Sequence, residues 1–446
     1  MHKKYIRAAA VVCGVLLYPG PGGFGGELRA ESAADNAASK NSEVTETCRP
    51  ESAGDVLRCV LEHHPDLKAA QSELEGFGAG VRKAEQSPNP ELGSRVLGGG
   101  DSLTAEVDFT HTFETGGKRD ARVNVAKEDL ALATSRVALR RQASVIQAAL
   151  QLLRLSQVRD EIALLNEAAG TYRRMIGHLR SRPGLSSEQR VSLDIYEVAA
   201  GEANLTIVGL SLEQERLLAE LRYAAGVEGK LLEPLLARVS EIKWPTVVAL
   251  AGAEQSEELR LARKRIARAR ARLELEEANA FPDLSIGPAL EYRRANEASG
   301  GIFGGSSSRS DAELGLSFRL TLPLYHSNEG GREAASAGVM AEQARERGVS
   351  DRLALEQARL MQEYERARES LRKALPQEAL QAKHRGLQLA IQRGRISPTT
   401  VIEFHRNMYE YAVTHNEQEV GALRALLGIY ALNGQILSKV EAYEIF

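Results

Sequence analysis

The sequence predicts a mainly α fold with a small β part: long antiparallel coiled-coil helices and two β-hairpins, present in two copies. Three observations predict it. From Lys118 to about Arg182 there is no proline, and Ala, Leu, Arg, Glu and Gln, all strong helix formers, dominate. Elsewhere, short stretches alternate apolar and polar residues with a period of two. The same succession returns about 200 residues later, which reads as a tandem duplication of one supersecondary unit.

At the N-terminus, Lys3, Lys4 and Arg7 precede the apolar run Ala8 to Tyr18, followed by Pro19, Pro21 and Gly26. This is the layout of a secretory signal peptide with its cleavage region over residues 1–34, where Ala30 or Ala34 could end it. Cys13 follows Val12, where a lipidation motif needs a small residue. Residues 35–54 read as a flexible lead-in. Cys48 and Cys59 are then the only cysteines of the exported chain, and in an oxidising compartment they could pair. Two free thiols fit the spacing equally well.

A helix from Lys118 to Arg182 would be roughly 95 Å long at about 1.5 Å per residue. Its apolar positions follow coiled-coil spacing: Val123, Leu130 and Val137, then Ile162, Leu165, Ala169, Tyr172, Ile176 and Leu179. Arg182-Pro183-Gly184 is a turn signal. A second helix is expected from Ser187 to about Ala225, with Leu205, Val208 and Leu212 keeping the same spacing. The plan repeats with helices from Glu257 to before Phe281-Pro282, and from Arg332 past Pro376 to about Arg393. After the turn Gly394-Arg395-Ile396-Ser397-Pro398, a last helix carries Phe404, Met408, Tyr411 and His415 on one face. Leu427-Gly428 is expected to play the terminating part of Ala225-Gly226.

Period-two alternation is clearest over residues 311–322, where Leu314, Leu316, Phe318, Leu320 and Leu322 interleave with polar residues, and over 103–113. It is weaker over 283–293, where Pro288 intrudes, and weakest over 90–97. Each half thus supplies one hairpin. Strands of this length with one apolar face suit a tilted membrane barrel. Four strands cannot close a barrel with a lumen, so either several chains share one barrel or the hairpins are soluble sheet.

Lys plus Arg number 57 against 60 Asp plus Glu, a net charge of -3, so no global field marks a nucleic-acid binder. The basic run Arg260 to Arg272 is flanked by acids and reads as a solvated helix face. Beyond the first twenty residues no run of about 18 apolar residues occurs, which excludes a multi-span helical transporter. The glycine clusters at residues 76–80 and 300–305 lack a phosphate-loop ending and read as helix break or loop. No nucleophile elbow or closely spaced carboxylate pair is present, so neither an enzyme nor a cofactor is expected. His63-His64 reads as a boundary before Pro65, and the other histidines are scattered, so no metal site is expected.

Three sets of motifs occur in order. The first is His64-Pro65-Asp66-Leu67 with Pro88-Asn89-Pro90-Glu91-Leu92. The second is Phe113-Glu114-Thr115-Gly116-Gly117-Lys118-Arg119. The third is Phe281-Pro282-Asp283-Leu284, with Leu322-Pro323-Leu324-Tyr325 and Gly330-Gly331-Arg332. With them the chain, from about His64 to Gly434, resembles the TolC-like outer-membrane efflux protein family, and its Gly-Gly-Lys-Arg turn resembles the heavy-metal cation branch. The resemblance implies two efflux repeats, residues 55–235 and 236–446, and a homotrimer whose twelve strands form one outer-membrane barrel above an α-helical periplasmic tunnel.

It also implies partners: a periplasmic membrane-fusion adaptor, an inner-membrane RND-type pump and outer-membrane lipid, with no nucleic acid. The function implied is a passive exit duct for heavy-metal cations. Drugs or secreted polypeptide are the alternative cargo, and a soluble periplasmic coiled-coil scaffold is the alternative protein. Carried over by position, the adaptor-docking tips are Arg182, Pro183, Gly184, Leu185 and Ser186, and Gly394, Arg395, Ile396 and Ser397. The periplasmic aperture maps to Glu403 and to Thr400, where an acid would be expected. Gly116, Gly117, Gly330 and Gly331 take the strand-to-helix turns.

Overall fold

The computed structural model describes residues 48–99, 102–228, 230–232, 234–235, 242, 244–246, 253–297, 307–393 and 396–441. The signal peptide, most of the lead-in, the glycine-rich segment 300–305, and Gly394 and Arg395 lie outside the described residues. All of the described residues belong to the unit that begins at Cys48.

A capping box starts α1 (Ala53–His63): the Ser52 hydroxyl accepts from the Asp55 amide, and the Asp55 carboxylate accepts in return from the Ser52 backbone. Cys59 of this helix is disulfide-bonded to Cys48, with Cα atoms 5.9 Å apart. Pro65 opens α2 (Pro65–Ala84), where a missing N–H costs nothing. Gly76, Gly78 and Gly80 lie inside this helix, correcting the expected break. Burial of Leu67 and Ala70 outweighs their poor propensity, and none has a neighbour a side chain would strike.

The hairpin β1 (Glu91–Gly99) and β2 (Ser102–Phe113) leads into α3 (Lys118–Arg180), 63 residues long, and α4 (Ser187–Ala225) returns beside it. Gly226, at φ +66°, closes α4 with a left-handed cap. The second half runs through α5 (Glu257–Ala278), β3 (Leu284–Glu297), β4 (Ser307–Leu320), α6 (Glu329–Lys373), α7 (Gln377–Gln392), α8 (Pro398–Leu432) and α9 (Ile436–Glu441). Where the first half has one unbroken helix, the second has two, because Ala374 turns extended ahead of Pro376. Gly428 does not terminate α8. It sits mid-helix against Leu360 of α6, and the left-handed glycine equivalent to Gly226 is Gly434.

The main core joins α1, α3, α4, α6 and α8 through Val56, Leu57, Leu152, Leu153, Leu221, Tyr364, Leu423 and Leu427. A smaller core near the α3–α4 turn gathers Ala168, Tyr172, Tyr196, Ala199, Ala200, Val401 and Ile402. Alanine recurs in both seams, allowing close helix approach. Charge enters the main seam in pairs. Arg154 is held by Glu161 and Glu213; burial alone would lower its pKa, but those two hydrogen-bonded carboxylates raise it. Asn416 of α8 donates to Glu161 at 2.7 Å, tying the third helix in.

The disulfide closes a short loop that anchors α1 on this core. Replacing both cysteines (C48S/C59S) is expected to lower unfolding stability by about 2–4 kcal/mol. Denaturant melts of the two proteins without reductant measure it, and coincident curves would count against the anchoring role.

Candidate functional site

The four strands form one antiparallel sheet in the order β1-β2-β3-β4. Directly opposed residues share a face, so the register sorts the side chains. One face carries Leu92 and Val96, then Val107, Phe109 and Phe113, then Leu284, Ile286, Leu290 and Tyr292, then Leu314, Leu316, Phe318 and Leu320. The other carries Arg95, Glu106, Asp108, Thr110, Thr112, Glu291, Arg293, Asp311, Glu313 and Arg319.

Among the described residues, no helix covers the apolar face. Leu314 is 80% exposed, and Leu92, Phe109, Leu290, Tyr292, Leu316 and Phe318 are exposed with it. Pro288 stays within β3 because it meets a gap in the β2–β3 ladder: Phe109 and Thr110 make no ladder pair with Pro288 and Gly287. At Gly287 the Phe109 carbonyl passes so close that no side chain fits.

Below the sheet, two of the sequence motifs lock onto each other. Lys118 Nζ donates to Asp283 Oδ1 at 2.7 Å, and the Thr115 amide donates to the same oxygen at 3.3 Å. The Thr115 hydroxyl bonds the Pro282 carbonyl. Arg122 pairs with Glu114 and also donates to the Ala84 carbonyl at 3.1 Å, while Arg119 donates to the Glu85 carbonyl at 2.8 Å. The Glu114 hydrogen bonds raise the Arg122 pKa. Gly116 (φ +64°) and Gly117 (φ +73°) make the turn, and a side chain at Gly116 would strike the Phe281 ring.

In the second half the turn is built differently from expectation. Gly330 and Gly331 lie in the first turn of α6, and the left-handed residue is Asn328, at φ 56°. Asn328 tolerates that conformation because its amide donates to the Glu276 carbonyl at 2.8 Å and to its carboxylate at 2.7 Å.

At the opposite end, Arg182, Pro183, Gly184 and Ser186 are exposed and Leu185 half-buried. Gly184 takes φ +73°, and Ser186 forms a capping box with Gln189. Ile396 packs against the smaller core and Ser397 caps α8, its hydroxyl 2.8 Å from that of Thr400. Thr400 and Glu403 are both exposed on the first turns of α8. His64 caps α2, its Nδ1 accepting from the Asp66 amide at 3.2 Å. Cys48, Glu62 and His63 bring ligand-type atoms within 4.8 Å of one another, but the sulfur is committed to its disulfide.

Leu205, Val208 and Leu212 do not pack in the intrachain seam. They face outward with Val191 and Val198, Leu205 at 77% exposure, as an apolar stripe along α4. The basic run on α5 is partly answered by acids: Arg260 by Glu257, Arg263 by Glu346 and Arg268 by Asp129. Sequence reasoning missed one cluster, the buried pair His384 and His405 beside Tyr172. Spacing along the chain does not mark it, since its burial and the meeting of α7 with α8 are set by helix packing.

A one-sided four-stranded sheet set on paired long helices is the fold of the TolC-like outer-membrane channels, and solved structures carry it. The chain aligns with the Campylobacter jejuni CmeC outer membrane channel at TM-score 0.63 and 13% identity, covering 89% of each chain. It aligns with the outer membrane protein VceC of Vibrio cholerae at TM-score 0.60 and 17% identity, over 86% of this chain and 96% of the other. In sequence, it is 26% identical over 301 residues to the cobalt-zinc-cadmium resistance protein CzcC of Cupriavidus metallidurans, 66% of this chain and 68% of that protein. No family model matches the sequence.

Burial lowers the His405 pKa to about 4, the neighbouring His384 adds to the shift, and the Val401 carbonyl opposes it. In the unfolded chain the imidazole titrates near 6.5. The unfolded state therefore takes up the proton first, and stability is lost progressively as pH falls from about 6.5 to about 4. In chelator-treated buffer, His405→Gln is expected to flatten the pH dependence of the urea midpoint over that window. Parallel profiles for the two proteins would contradict it.

Proposed function

We propose that the chain is one third of a passive outer-membrane exit duct, a homotrimer in a tripartite efflux system that exports heavy-metal cations. One observation carries the reading: the sheet has an uncovered apolar face, a charged opposite face and two open edges. Lipid suits the first, a watery lumen the second, and strands of neighbouring copies the third. Phe109, Phe113, Tyr292 and Phe318 on the apolar face, with Tyr325 just beyond it, supply the aromatic belt. The outward stripe on α4 supports the same assembly, because its three-and-four spacing is a seam awaiting a helix from another copy.

In this reading the two repeats span residues 55–235 and 236–446, and the paired helices continue the barrel as a periplasmic tunnel. The tips at Arg182 to Ser186 and Gly394 to Ser397 meet a membrane-fusion adaptor, whose pump is of the inner-membrane RND type. Three Glu403 side chains narrow the aperture and favour cations, with Thr400 making that filter weaker than a double ring of acids. A conducting role asks for no catalytic group. Metal cargo is supported by the likeness to a cobalt-zinc-cadmium resistance protein. The alternative cargo, drugs or polypeptide, keeps every structural feature.

Two experiments test these points separately. Leu316→Arg, on the apolar face, is expected to cost about 2–4 kcal/mol of membrane insertion near the bilayer midplane, whereas Ser317→Arg, on the opposite face, should insert normally. Equal recovery of both variants in the outer-membrane fraction would remove the barrel reading. Deleting the gene is expected to reduce tolerance of cobalt, zinc and cadmium. Intact metal tolerance beside lost tolerance of hydrophobic antibiotics would reassign the cargo.

A further inference from the structure

Two histidines that the duct reading does not use lie between helices near the tip. His384 of α7 and His405 of α8 are 8% and 4% exposed, with ring centroids 5.6 Å apart and planes at 73°. His384 Nε2 and both nitrogens of His405 are buried and make no well-formed hydrogen bond, the Val401 carbonyl one turn back being the acceptor that bears on His405. Leaving buried imidazole nitrogens poorly satisfied is costly, so their clustering here requires a reason.

The remaining nitrogen of His384 points to one. Its Nδ1 is 3.4 Å from Glu167 Oε2, and the other oxygen of that carboxylate accepts a 2.6 Å hydrogen bond from Gln388. A carboxylate at one ring nitrogen holds the proton there and leaves the lone pair on the other, the outer-sphere arrangement that stands behind metal-bound imidazoles. Two imidazoles on one ion at metal–nitrogen distances of about 2.0–2.1 Å place their ring centres about 5–6 Å apart, and the observed separation falls in that range. Tyr172, edge-on to His405 at 5.5 Å, and Phe404, stacked on His384 at 6.4 Å, wall the pair. A cleft lined by His405, Glu202, Arg406 and Glu410 opens beside it.

We propose that His384 and His405 form a two-imidazole site for a borderline divalent cation of the zinc, cobalt or nickel class, with Glu167 as the outer carboxylate that orients His384. Neutral imidazoles prefer such ions to magnesium or calcium, and solvent from the cleft completes the coordination. The ion ties α7 to α8 beside the tip. The site stands on the packing of α3, α7 and α8 and would exist whatever the duct conducts.

The test is titration of Zn²⁺ into the full-length protein in detergent, against a competing chromophoric chelator. The wild type is expected to bind one more zinc per chain than H384Q/H405Q, and Glu167→Gln to keep the stoichiometry with affinity weakened about 10- to 100-fold. Equal stoichiometry in the wild type and the double variant overturns the proposal and leaves aromatic packing as the pair's whole role. Should the double variant misfold, X-ray absorption of the zinc-loaded wild type decides, since two imidazoles in the first shell are expected and a shell of oxygens alone overturns it. Either outcome is independent of metal tolerance in the deletion strain, so this site and the cargo assignment can fail separately.

Discussion

A four-stranded sheet with Leu92, Phe109, Leu290 and Leu316 on one bare face and glutamates and arginines on the other is not stable alone in water. Its apolar face needs an apolar cover, and among the described residues no further strand pairs with β1 or β4 on their outer sides. The described helices are arranged around that sheet. The helices that leave the sheet are too long for one globular core. They pack as seams, with alanines where backbones approach and an outward apolar stripe on α4 where no described residue of the chain partners it.

The two halves are joined where strands become helices. Asp283, from the second half, receives both the Lys118 ammonium and the Thr115 amide of the first. Arg122 and Arg119 then gather the backbone at the end of α2. These contacts bind three segments far apart in sequence into one collar, so the direction of the long helices is set relative to the sheet. A residue pattern that reads in sequence as separate short motifs is, in space, one joint.

Much of this was legible from periodicity. The ends of α3 and α4 follow from helix-forming composition bounded by Pro183-Gly184 and Gly226, and the strands follow from alternation. The departures share a cause. Gly76, Gly78 and Gly80 remain helical because α2 packs on its neighbour, and Gly428 remains helical because α8 needs a small residue under Leu360. Asn328 takes a turn position expected of glycine because Glu276, far away in sequence, satisfies its amide. Among the site residues, the turn at Pro183-Gly184 and the first collar turn could be placed from turn chemistry. The histidine pair could not, because what makes it unusual is its burial.

The sequence by itself determined the element types, their order and the two faces of each strand, since these depend on local propensity and on spacing along the chain. Only the tertiary structure decided which apolar stripe is buried within the chain and which is left bare, that Cys48 and Cys59 are joined, and that His384 meets His405. Those outcomes depend on which helices become neighbours. Spacing alone leaves the neighbour unspecified, because a coiled-coil seam has the same period whether its partner lies in the same chain or in another.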